Sequence, residues 1–155
     1  MSAKMSNKNI LFIGFMGVGK STLAKAAAKE LKSVCLDTDK IIENMESRKI
    51  KKIFKEDGEA YFRELESRVA LWLEQNVQNA IISTGGGFAN VKNLKQIGKI
   101  VYLKSTFEGI LKRISEHPKA KAKFAKRPLL KDKKKAKELF EKREGIYQSL
   151  ADITI

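Results

Sequence analysis

Residues 14–22 read GFMGVGKST and set three glycines, a lysine and two neighbouring hydroxyls in one short stretch. The spacing of Gly14, four residues, then Gly19, Lys20 and Ser21 fits a phosphate-binding loop in full. Glycines let the chain curl so that successive N–H groups point inward, and a helix starting behind the curl adds its positive end. In such a cradle Lys20 reaches the β- and γ-phosphates of a nucleotide, and the Ser21 hydroxyl holds Mg²⁺. A tight glycine turn with an incidental lysine is the alternative. The flanks favour the nucleotide: NILFI at 9–13 is apolar and β-favouring, and LAKAAAKELK at 23–32 consists of good helix formers.

A loop of this kind specifies a nucleotide and leaves the reaction open. The stretch LDTD places Asp37 and Asp39 at the end of a strand-like run, where both side chains would point beside the loop. Phosphoryl transfer needs one carboxylate near Mg²⁺ and another near an acceptor hydroxyl. The competing reading takes TDKII as a helix start with its cap. Both readings accommodate Thr38, but they compete for Asp39. Further on, STGGG ends another strand-like run with Gly85, Gly86 and Gly87. Consecutive glycines expose backbone N–H groups and let a ligand approach closely, although a plain flexible turn would also use them. Their place at the carboxyl end of a strand favours a site, because ligands of open α/β sheets bind there. Arginine is rare here, with six against 26 lysines. In such a chain an arginine suggests a planar, two-donor contact, which singles out Arg48, Arg63, Arg68, Arg113, Arg127 and Arg143 for attention.

Positioning these groups requires a sheet. Strand-like runs recur at 9–13, 33–37, 80–84, 99–103 and 152–155 with helical patterns between them, which predicts a parallel sheet covered by helices on both faces. Two helical stretches are expected at about 39–57 and 59–76, with Trp72 and Leu73 as core. A helix is expected near 106–115 and another along KKAKELFEKREGIYQSL. The segment 116–133 holds both prolines, Pro118 and Pro128, and its length suggests a mobile lid.

Composition bounds the rest. A chain of 155 residues with 43% hydrophobic content suits one domain with a single core. Its one cysteine, Cys35, has no internal disulfide partner. The opening MSAKMSNK lacks the apolar stretch of a secretory signal and the apolar runs are strand-sized, so a cytoplasmic protein without a membrane partner is expected. The net charge of +14 invites a polyanion. Between Lys112 and Lys137, twelve lysines and arginines face only Glu116 and Asp132, in a segment poor in aromatics. Such a segment suits a solvated surface or a shield over a bound nucleotide better than a nucleic-acid groove.

In this order, GFMGVGKST, LDTD, FRELE, STGGG, KRPLL and EKREGIY resemble the shikimate kinase family over nearly the whole chain. The resemblance implies an α/β fold of the P-loop NMP-kinase type, three layers α/β/α with a five-stranded parallel sheet in the order 2-3-1-4-5. It also implies transfer of the ATP γ-phosphate to the 3-hydroxyl of shikimate, with Mg²⁺, in a monomer. Gly14, Gly17, Val18, Gly19, Lys20, Ser21 and Thr22 become ATP contacts, together with Arg113 packing on adenine. Arg127 belongs to the lid and faces the transferring phosphate. Asp39 contacts the shikimate hydroxyls, Arg63 and Arg143 hold its carboxylate, and Gly85, Gly86 and Gly87 line the same site. Ser21 and Asp37 serve the metal, Asp37 through water. Family members run on past the fifth strand into an adenine-contacting loop and a final helix, whereas this sequence stops at Ile155.

A related kinase acting on gluconate would share the loop and lid but would not need both Arg63 and Arg143. No NKxD-type guanine motif is present to support a GTPase. A nucleic-acid-dependent ATPase would show steeply salt-dependent binding.

Overall fold

The computed structural model describes residues 8–125 and 128–155, with the side chains of 128 and 129 left out. The expected element pattern is present. Strands β1 (Asn9–Ile13), β2 (Val34–Asp37), β3 (Ala80–Ser83), β4 (Gly98–Tyr102) and β5 (Ile153–Thr154) form one sheet in the order β2-β3-β1-β4-β5. Every pairing is parallel, with Leu11 opposite both Ile82 and Ile100. The helices are α1 (Lys20–Glu30), α2 (Thr38–Glu46), α3 (Ile50–Asn76), α4 (Leu94–Ile97), α5 (Phe107–Ser115), α6 (Ala120–Ala125) and α7 (Lys133–Leu150).

Alternation along the strands builds the two faces. Leu11, Ile13, Ile82, Ile100 and Tyr102 point into the larger apolar cluster with Leu73 of α3, Ile97 of α4 and Phe140 of α7. Phe12, Ile81 and Val101 point the other way, onto Ala24 and Ala28 of α1. Two alanines one turn apart keep α1 close to the sheet, so the loop that feeds it lies tight against the carboxyl ends of the strands.

Two local expectations need correction. The helical stretch 39–57 is broken at residues 47–49, where Ser47 adopts a left-handed conformation with φ 52° and α3 begins afresh. Trp72 is 47% exposed and not core. The buried stripe of α3 runs through Phe62, Leu65, Glu66, Val69, Ala70 and Leu73 at helical spacing, and residue 72 lies outside it. The segment 116–133 contains α6 and a 3₁₀ turn, Pro128–Lys131.

At the amino ends of the strands, the buried Asn9 side chain closes three backbone gaps. Its Nδ2 donates to Val77 O at 2.9 Å and Ile97 O at 3.0 Å, while its Oδ1 accepts from Ala80 N–H at 2.9 Å. Asn9→Leu would bury these groups without partners, at about 1–3 kcal/mol each before relaxation. A loss of about 3 kcal/mol in urea unfolding, with kinetics little changed, is the expected result.

Candidate active site

The loop between β1 and α1 carries the conformations that its glycines were expected to supply. Gly17 and Gly19 have φ 82° and 104°, in the region that side chains disfavour. Space is equally short: a methyl group on Gly17 would sit 2.6 Å from Ile114 Cδ1, and one on Gly19 would sit 2.9 Å from Arg113 Nη2. Gly19 caps α1 with no side-chain acceptor, and the first turn of α1 has no acidic residue. The helix start therefore presents its positive end to whatever enters the loop. Lys20 is buried, and its ammonium donates to the loop carbonyls of Gly14 at 2.5 Å and Phe15 at 3.0 Å. Val18 N–H closes the turn onto Phe15 O at 3.3 Å. Ser21 and Thr22 follow on the exposed first turn of α1.

The competition over DTD has a physical resolution one residue earlier than the cap reading placed it. Asp37 is the N-cap of α2, its Oδ1 accepting from Asp39 N–H at 2.9 Å and Lys40 N–H at 3.1 Å. Its second oxygen, Oδ2, accepts from the Ser21 hydroxyl at 3.2 Å. One carboxylate thus both starts the helix and faces the loop, which frees Asp39 for the cleft. Thr38, fully buried, accepts from Gly85 N–H at 3.0 Å and locks the end of β2 to the glycine turn after β3. Asp39 is partly buried among Asp37, Glu66 and Glu43, with Lys20 as its opposing charge. Burial, then the repulsion of Asp37 and Glu66, push its carboxyl from 3.8 up to about 6.

The glycine turn is where the distant elements meet. A methyl group on Gly85 would lie 2.5 Å from Asp39 Oδ1, one on Gly86 would lie 2.7 Å from Arg143 Nη1, and one on Gly87 would overlap Arg63 Nη1. Each glycine leaves the room that one of these side chains occupies. Arg63 comes from α3, Arg143 from α7, and Asp39 from α2.

Two residues that sequence reasoning did not single out hold the arginines in place. Glu66 is 2% exposed and takes Arg63 Nη1 on its Oε1 at 2.5 Å, while its Oε2 is buried without a hydrogen-bond partner among the described residues. Burial raises the Glu66 carboxyl, and the charges of Arg63 and Arg143 oppose that rise. Tyr147, one turn after Arg143 on α7, donates its hydroxyl to Gly86 O and is pushed up to about 12, chiefly by burial. The spacing was legible: FRELE puts a glutamate three residues after Arg63, and REGIY puts a tyrosine four residues after Arg143, each on one helix face.

A cavity of 1540 Å³ opens at the carboxyl ends of the strands, bounded by Gly17 and Gly19 on one side and Gly85 and Gly86 on the other, with Arg63 and Arg143 reached through the glycine turn behind its wall. Lys20, Ser21, Asp37, Asp39 and Arg113 all contribute to its wall. Arg127 lies outside the described residues. Among the described residues, no cluster of three His, Cys, Asp or Glu side chains could hold a metal. A hydroxyl, an adjacent carboxylate and the Ser83 hydroxyl 3.4 Å from Ser21 do make a sparse oxygen set. That set suits Mg²⁺, which keeps several waters and takes its other oxygens from phosphates.

The model of the family described as shikimate kinase matches residues 16–155. The chain belongs to the shikimate kinase family. A shikimate kinase of Helicobacter hepaticus is 41% identical over 141 residues, covering 91% of this chain and 81% of the relative. One from Persephonella marina is also 41% identical, covering 96% and 88%. Among solved structures, shikimate kinase from Acinetobacter baumannii in complex with shikimate superposes with a TM-score of 0.85 at 32% identity, covering 99% of this chain and 86% of that one. Membership of the shikimate kinase family makes this chain an ATP-dependent kinase, and the sheet order is the one the sequence resemblance implied.

Proposed function

We propose that the chain transfers the γ-phosphate of ATP to the 3-hydroxyl of shikimate, with Asp39, Arg63 and Arg143 holding the acceptor and the 14–22 loop holding the nucleotide. The observation that supports this reading best is the glycine turn, which brings two arginines and one carboxylate to a single place at the edge of the cavity that Lys20 and Ser21 line. Shikimate is a small carboxylate bearing adjacent hydroxyls, so it calls for paired guanidinium groups at one end and a hydrogen-bond acceptor at the other.

In this reading Lys20 exchanges its bonds to Gly14 and Phe15 for oxygens of the β- and γ-phosphates. The loop N–H groups and the start of α1 balance the remaining negative charge. Ser21, with Asp37 acting through water, holds Mg²⁺, which when bound neutralises charge on the phosphates. Arg113 flanks the loop on the nucleotide side, and Arg127, on the lid of residues 116–133, serves the transferring group. On the acceptor side, Asp39 accepts the hydrogen bond of the 3-hydroxyl and orients its oxygen toward the γ-phosphorus. A new O–P bond forms as the bond to ADP breaks. The hydroxyl proton passes to Asp39, whose carboxyl is raised to about 6 by burial and by the neighbouring Asp37 and Glu66. The reading has the enzyme work as a cytoplasmic monomer, without nucleic acid or membrane. Among the described residues, no helix is long and apolar enough to cross a membrane.

ADP release by purified protein, with and without shikimate, tests the reaction. Arg63→Ala tests the acceptor. Removing one member of a charged, hydrogen-bonded pair costs roughly 2–5 kcal/mol, so the KM for shikimate should rise about 30-fold to several thousandfold while that for ATP barely changes. Arg63→Lys, which keeps a cation for Glu66, should recover part of the loss, because an ammonium lacks the planar fork. A folded Arg63→Ala enzyme with a shikimate KM within about twofold of the parent would overturn the assignment and favour a gluconate-type acceptor.

A further inference from the structure

Helix α3 is one helix in name but two in conformation. Gly58, with φ 85° and ψ 175°, interrupts it between Asp57 and Glu59. Added bulk at Gly58 would meet nothing within 4 Å among the described residues, so none of them presses the chain into this break. The segment before it, from Ile50, supplies Ile50 and Phe54 to the cavity wall. The segment after it carries Arg63 and Glu66. The angle between the two therefore sets how far Phe54, on the cavity wall, stands from Arg63, which packs against Gly87 of the glycine turn. Phe54 and Phe62 touch across the break, with ring centroids 4.8 Å apart.

One side chain spans the whole junction. Arg48, from the connection between α2 and α3, donates through Nη2 to Glu46 Oε1 at 2.7 Å and through Nη1 to Glu56 Oε2 at 2.8 Å, and it pairs with Asp57. Its guanidinium also lies 5.8 Å from the ring centroid of Tyr61, whose hydroxyl donates to the same Glu46 oxygen at 2.9 Å. The arginine thus holds the end of α2, the last turn before Gly58 and the first turn after it. Only 16% of its side chain is exposed. A second tie, Ile50 N–H to Glu43 Oε2 at 3.0 Å, fixes the start of α3 but does not reach the break.

We propose that Arg48 is a positioning residue for the acceptor pocket: by bracing both sides of the Gly58 break it sets Phe54 and Arg63 at the separation that shikimate requires. This role rests on the functional reading above. It predicts a selective defect, because the nucleotide loop lies on β1 and α1 and shares no element with the brace. Arg48→Ala should raise both the shikimate KM and the shikimate Kd, measured by titration calorimetry, about tenfold, with the KM for ATP and kcat within about threefold of the parent. Arg48→Lys should restore part of the affinity, since an ammonium can satisfy one carboxylate but cannot fork across several.

If Arg48→Ala fails to fold, Glu56→Gln combined with Asp57→Asn leaves the arginine in place, loosens one side of the brace and should give the same selective rise. A folded variant whose shikimate affinity stays within about twofold, or whose ATP and shikimate affinities fall together, overturns the proposal. A parent protein that releases no ADP in response to shikimate overturns the functional reading instead. A parent that turns over, paired with an unaffected Arg48→Ala, overturns only the brace.

Discussion

Lys20→Met should leave a folded protein whose turnover is reduced by about three orders of magnitude or more. In the proposed reading the ammonium meets the charge that develops between the β- and γ-phosphates, and methionine fills similar space without charge or donors. The structure adds a second expectation. Lys20 Nζ is bonded to the Gly14 and Phe15 carbonyls, so the loop loses two hydrogen bonds in the variant. Each is worth about 1 kcal/mol, and the thermal midpoint should fall by about 4–8 °C. Circular dichroism and ADP release together check both. Near-parental turnover in a folded variant would remove the phosphate-loop reading.

Asp39→Asn should lower shikimate phosphorylation by about a hundredfold or more while making the protein more stable at neutral pH. An amide can still form a hydrogen bond, but it takes no proton and carries no negative charge. The stability gain follows from the cost of ionising this carboxyl in its surroundings. Its folded pKa of about 6 lies above the ordinary 3.8, so the folded state binds the proton more tightly than the unfolded chain does. Stability then falls as pH rises between these values, and above them the ionised carboxylate costs up to about 3 kcal/mol. Asparagine removes that cost. The variant should melt several degrees higher than the parent at pH 7.5, and the difference should shrink toward pH 4. Equal melting points at pH 7.5 would mean that Asp39 sits relaxed in the folded state, and unchanged turnover would reduce it to a bystander.

Much of the fold was legible because strand signals are local. All five strand-like runs were found to within a residue or so at each end, since β-favouring apolar stretches bounded by polar or glycine-rich turns leave little choice. The break after Glu46 was not legible, because it rests on a left-handed serine and a web of ion pairs instead of a glycine or proline at the junction. Trp72 misled for the opposite reason. An apolar residue near a helical stripe is read as part of it, although a shift of one position turns the side chain about 100° away.

The site divides in the same way. Lys20, Asp37, Asp39 and the glycine runs stand in short motifs whose chemistry can be read from spacing. Glu66 and Tyr147 were passed over because the property that matters in each, burial beside an arginine, exists only after α3 and α7 converge on the glycine turn. A charged residue inside the apolar stripe of α3, between Leu65 and Val69, was nevertheless a visible sign.

Asn9 gives the sheet an unequal pair of ends. At the amino pole it saturates the backbone groups around three parallel strands, so that pole is finished by the polypeptide alone. At the carboxyl pole the loop lysine leans on its own chain, a carboxyl resists ionising and Glu66 keeps a bare oxygen. Mutational pressure should therefore sort by latitude. Changes at the first pole would weaken the protein and spare the chemistry, and changes at the second would silence the chemistry, at modest cost to the protein for Lys20 and with a gain for Asp39. An engineer seeking a hardier enzyme would leave both poles alone, the first because it has no gap left to fill and the second because a ligand finds partners only where the fold has not already used them.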